Sequence, residues 1–148
     1  MKIIVTSTLN IPFEQVRRLI LRPDTMHAIS RPIMYFKPLS PAGFPEHWDH
    51  LRTYKVKLTL LGFIPLGWQV IKPEVRKDTK ELFVMVDAGS GQLTKQWDHS
   101  ITIQRDGSET RYRDEVDVQA MFPLLTPIIA SFAWIYYHHR QRRWRNFD

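Results

Sequence analysis

QWDHSITIQRDGSETRYRDEV, residues 96–116, reads as two strands folded back on each other around Asp106-Gly107, a turn dipeptide between alternating side chains. With that dipeptide at the centre of a two-residue turn, Ile103 faces Thr110, Ile101 faces Tyr112, His99 faces Asp114 and Trp97 faces Val116. Asp98, Ser100, Thr102 and Gln104 fall on the other face with Glu109, Arg111, Arg113 and Glu115, so that side is the solvated one. The inner face, continued by Val118, is aliphatic and aromatic apart from one imidazole and one carboxylate. Directly opposed Cβ atoms lie about 4.5–5.5 Å apart, which lets His99 and Asp114 share a hydrogen bond. Three roles stay open for them. A mutually satisfied buried pair would fix strand register. A polar anchor would orient a ligand in an otherwise apolar cavity. An imidazole oriented and made more basic by its carboxylate would serve as general acid and base near neutral pH. No nucleophile or oxyanion motif accompanies the pair.

Upstream of the hairpin the pattern is strand after strand. LRTYKVKLTLL (51–61) alternates, with Tyr54, Val56, Leu58 and Leu60 on one side and Lys55, Lys57 and Thr59 on the other. GFIPLG turns the chain into WQVIKPEVR (68–76), and KDTK leads on to ELFVMVDAG (81–89), apolar on both faces. Near the start, KIIVTSTL (2–9) is an alternating, β-branched strand. Asn10 is placed to cap a helix with Pro12 in its first turn and Phe13, Val16 and Ile20 along one face. Pro23 stops that helix, and PDTMHAIS (23–30) allows at most two more turns. IMYFK (33–37) predicts another strand before a proline-rich loop. At the far end, Thr126-Pro127 opens a helix expected to run to Asn146, about 30 Å long. Its apolar stripe is Ile128, Ile129, Phe132, Ile135, Tyr136 and His139.

A chain of 148 residues suits one domain, 1–148. With 43% hydrophobic and 24% charged residues it has an ordinary globular composition. It has no cysteine, which excludes disulfides, thiol catalysis and thiolate metal sites and accords with a cytoplasmic location. The N-terminal residues show no signal-peptide pattern. Glu46, His47, Asp49 and His50 cluster in one loop without a metal-ligand spacing, so no metal and no cofactor is expected. The net charge of +6 is concentrated in the last residues, RQRRWRNFD. Arg140, Arg142, Arg143 and Arg145 suit the negative end of a helix dipole and a weak contact with an anionic membrane surface. No motif points to nucleic acid. Residues 121–137 carry no charge, but Thr126, Ser131 and two prolines dilute a run already at the lower limit for a bilayer span.

Strand, two short helices, a run of antiparallel strands and one long final helix is the order of an α+β helix-grip domain. In that arrangement a curved sheet of about six to seven strands wraps around the long helix. With it the chain resembles the START-like, or SRPBCC, superfamily: IIVTSTLNIPFEQVRRLI is similar to its first strand and helix. VDAGSGQLTKQWDHSITI followed by ETRYRDEVDV resembles an uncharacterised bacterial branch that includes polyketide-cyclase-like proteins. The matching positions here are Asp87, Gly91, Trp97, His99, Asp114 and Val116. That branch often carries Gly-Pro after the first Asp and a second His two residues beyond the first, where this chain has Gly91-Gln92 and Ile101. The resemblance implies a pocket between sheet and helix for a lipid, sterol-like or polyketide-like molecule, in a carrier, a sensor or a cyclase/dehydratase. The expected walls are Tyr54, Val56, Leu58, Trp97, Ile101, Tyr112, Ile128, Phe132 and Tyr136, with His99 and Asp114 as polar anchor or catalytic pair.

Overall fold

The computed structural model describes residues 1–49 and 52–147. His50 of the loop cluster, Leu51 at the expected strand start and Asp148 lie outside the described residues. The elements are β1 (Lys2–Leu9), α1 (Phe13–Ile20), α2 (Pro23–Ser30), β2 (Met34–Ser40), β3 (Tyr54–Leu60) and β4 (Ile64–Ile71). Then follow β5 (Pro73–Asp78), β6 (Leu82–Gly91), β7 (Thr94–Asp106), β8 (Glu109–Ala120), a single 3₁₀ turn at Pro123–Leu125 and α3 (Thr126–Arg145). The sheet is antiparallel in the order β1-β8-β7-β6-β4-β3-β2, with β5 beside β6.

An eighth strand arises because WQVIKPEVR breaks. Gln69 and Val70 of β4 pair with Gly91 and Ser90 at one end of β6, while β5 pairs with Asp87 through Phe83. Pro73 has no N–H to continue a ladder. The Lys72 N–H at the break is taken by Asp87 Oδ1 at 2.7 Å instead.

The β7–β8 hairpin turns one residue later than expected. Gly107 and Ser108 form the turn, with Gly107 at φ 62 in the first central position, the place type II′ hairpins reserve for glycine. Register therefore shifts by two: His99 is directly opposite Val116, and Ile101 is opposite Asp114. A shift of two preserves both faces, so the inward set remains inward.

The helices also depart from expectation in detail. α1 starts at Phe13 behind Pro12, whose carbonyl accepts from Gln15 and Val16, and Asn10 makes no cap. Its buried side is Phe13, Val16 and Ile20, each worth roughly 1.5–3 kcal/mol when removed from water. On α3, Thr126 Oγ1 accepts from the Ala120 N–H at 3.1 Å, tying the helix start to the end of β8. The buried side of α3 is Ala130, Ala133, Tyr136, Tyr137, Arg140, Gln141 and Trp144. Of the expected stripe only Tyr136 is buried; Ile128 is 65% and Ile135 55% exposed. Small alanines let the helix approach β1 and β8, and polar side chains fill the positions the apolar pattern would have left to isoleucine. No helix among the described residues is long and apolar enough to cross a membrane.

Candidate functional site

Between the sheet and α3 lies a cavity of about 280 Å³, lined by side chains from every helix and from every strand but β1. Met34, Phe36, Leu58, Leu66, Met85, Ile101, Ile129 and Phe132 give it an apolar wall. Leu93 and Ile128 line it while remaining half-exposed or more, which places them at its mouth.

Eight of the residues expected at a site line this cavity: Leu58, Trp97, His99, Ile101, Tyr112, Ile128, Phe132 and Tyr136. Tyr54 and Val56 do not. They pack with Ile71, and the Tyr54 hydroxyl accepts the Asp49 N–H at 3.1 Å beneath Phe44 and Trp48. Asp114 is behind the wall, 1% exposed, and reaches the cavity only through His99.

The hydrogen bond between His99 Nε2 and Asp114 Oδ1 is 2.7 Å long and runs diagonally across the two strands. Asp114 Oδ2 accepts from Gln141 Nε2 at 3.1 Å, and the same amide nitrogen donates to the Val5 carbonyl at 2.6 Å. The anchor is therefore three residues long, reaching from β7 through β8 to α3 and β1. Sequence reasoning expected Asp114 to make His99 more basic. Burial works the other way and wins, holding His99 below its ordinary value despite the Asp114 hydrogen bond. At neutral pH the imidazole is uncharged, with Nε2–H donating to Asp114 and Nδ1 left as an acceptor.

Along the same cavity stand four residues of α3, of which the apolar stripe includes only Tyr136. The Tyr137 ring lies 4.7 Å from the His99 ring, and its hydroxyl accepts the Trp97 indole N–H at 3.0 Å. Tyr136 shares a 2.7 Å hydrogen bond with Ser30 and stacks on Phe132. Trp144 packs its ring 5.4 Å from Tyr112. Arg140, 6% exposed, lies over the faces of Tyr136 and Tyr137 at 5.7 and 5.1 Å. It was expected in the exposed basic tail; it is instead the cationic side chain of the cavity, and Arg142, Arg143 and Arg145 alone remain exposed. Spacing could have signalled it, because 133, 137, 140 and 144 repeat at helical intervals from the small residue Ala133. Asp87, directly across from His99 on β6, also lines the cavity, and burial pushes its carboxyl up to about 7. Among the described residues no three His, Asp or Glu are placed to hold a metal.

An open antiparallel sheet, two short helices after its first strand and a terminal helix closing over an apolar cavity make this a START-like, helix-grip fold. The solved structures it is similar to include a START superfamily protein from Mycobacterium smegmatis (13% identity, TM-score 0.65, 98% of this chain and 94% of that one). A protein from Chromobacterium violaceum aligns over the same shares at 13% identity and TM-score 0.67. A major latex-like protein from Panax ginseng aligns over 99% and 95% at 10% identity and TM-score 0.58. No protein-family model matches the sequence, and no curated protein matches it.

Proposed function

We propose that this protein binds one small, mainly apolar molecule in the cavity between the sheet and α3, as a carrier or sensor. The observation that carries the reading is the cavity itself, about 280 Å³ of space walled by aliphatic and aromatic side chains. That is near the lower end of ligand-pocket volumes, so the fit is to a compact molecule or a single chain. The START-like fold of its structural neighbours supports ligand binding in general. Native mass spectrometry of the isolated protein, and thermal shifts across an apolar library, test it. One bound mass per chain, or a saturable shift, is the expected outcome; neither appearing would reject it.

A second reading, a cyclase- or dehydratase-type enzyme, is favoured by one observation: an uncharged His99 at the cavity wall with Asp114 on its Nε2. His99→Gln separates the two, because glutamine keeps one hydrogen bond to Asp114. A carrier loses affinity modestly. An enzyme loses turnover by about 10²–10⁴-fold while binding persists. A purely structural pair loses stability and shifts no ligand's affinity beyond that.

A further inference from the structure

We propose that the cavity's ligand is an acid, an apolar body ending in a single carboxylate that docks on Arg140. This rests on the ligand-binding reading and names the ligand's class. A guanidinium keeps its proton at any pH a protein survives, so Arg140 is a charge sealed in the interior. A buried charge of this kind calls for a partner. The chain supplies no carboxylate in direct contact: among the described residues Arg140 forms no ion pair, and its Nε has no hydrogen-bond partner. Its neighbours are Tyr112, Tyr136 and Tyr137, with Asp114 acting on it only at a distance.

The interior carboxylates are otherwise engaged. Asp114 has one oxygen on His99 and the other on Gln141. Asp87 accepts the Lys72 N–H on Oδ1, forms no ion pair with Arg140, and is pushed by burial up to about 7, which leaves it a weak counter-charge. Two further donors border the same cavity without a partner, the Tyr112 hydroxyl and the Trp144 indole N–H. Tyr112 sits beside both Trp144 and Arg140, yet completes a well-formed hydrogen bond with neither. One end of the cavity thus gathers a guanidinium, a phenol and an indole N–H, with the phenol oxygen as the one acceptor among these three groups.

A carboxylate meets that need. Its two oxygens match the guanidinium fork, and its single charge balances a single cation. A phosphate would bring more charge than this cavity can meet, since no other Lys or Arg lines it and His99 is held uncharged. The aliphatic and aromatic wall takes the rest of the molecule.

Decanoic acid, 1-decanol and methyl decanoate, titrated calorimetrically into the wild-type protein, Arg140→Met and Arg140→Lys, test the assignment. In the wild type the acid should bind at least about tenfold tighter than the alcohol or the ester, the margin of a charge-assisted pair. Arg140→Met should abolish that preference while still binding the alcohol, and Arg140→Lys should keep part of it. Without ligand, Arg140→Met should melt no lower than the wild type, because it removes an interior charge that no carboxylate contacts. A marked loss of stability would mean that the guanidinium is held by the fold, and would overturn the proposal. Equal binding of acid, alcohol and ester by the wild type overturns it too and leaves the cavity reading standing, a comparison that needs no variant. Failure of all three to bind overturns the assignment, and the cavity reading then stands or falls on the mass-spectrometric and library tests.

Discussion

Gln141 shows how much a single amide can hold. It is 1% exposed, and its Nε2 ties the Asp114 carboxylate on β8 to the Val5 carbonyl on β1. Gln141→Met keeps the volume and removes both donors, leaving two buried acceptors without a proton. Such losses cost about 1–3 kcal/mol, more when the acceptor is charged. The urea midpoint should fall accordingly, and an unchanged midpoint would show that Asp114 does not depend on α3. At this scale the sequence was half informative. Alternation identified His99 and Asp114 as inward-facing, because a period of two survives any even error in register. An apolar stripe does not reveal the burial of Gln141 or Arg140, since neither residue is apolar. Their burial is decided by partners across the fold, which spacing within one helix does not reveal.

Among the elements, α3 shows where pattern and packing part company. Isoleucines at 128 and 135 drew the expected stripe toward themselves, but the face that meets β1 and β8 carries Ala130 and Ala133. Close approach needs small side chains there, so bulk is costly on that face and cheap on the other. Ala133→Leu should destabilise by about 1–3 kcal/mol through overpacking. Ile135→Gln, on a side chain 55% exposed, should stay within about 0.5 kcal/mol of wild type. Chemical denaturation of the two variants checks both; equal losses would put the packing face where the isoleucines are. The strands were more legible than the helix face, since β-branched alternation in β1 and β3 is a local property. The exceptions have local causes too. Pro73 splits one expected strand into β4 and β5, and Gly107-Ser108 rather than Asp106-Gly107 makes the hairpin turn.

Across the whole molecule, two ionisable groups facing each other on β6 and β7 pull stability in opposite directions with pH. His99 is held below its ordinary 6.5 by burial, so the folded state binds the proton less well than the unfolded chain does. Its contribution is complete above pH 6.5 and is lost as pH falls. Asp87 is pushed by burial from 3.8 up to about 7, so the folded state holds that proton more firmly than the unfolded chain. Its contribution is complete below pH 3.8 and is lost as pH rises toward 7. Between pH 5 and 6.5 the two trends oppose each other. The exposed acids paired with arginines, Glu14 with Arg105 and Asp78 with Arg17, are held below their ordinary 4.5 and 3.8 and titrate beneath that window. Replacing one partner should expose the other. Asp87→Asn can still accept the Lys72 N–H through its amide oxygen, and it should leave a protein whose urea midpoint falls as pH drops from 6.5 to 5. His99→Gln should shift the slope the other way, toward a midpoint that falls as pH rises, with the wild type between the two. His27, also held below 6.5 by burial, adds the same slope to all three. Midpoints measured at pH 5, 5.5, 6 and 6.5 decide it. Variants whose slopes both depart from the wild type in the same direction would mean that the two groups do not carry the opposing proton affinities their burial imposes.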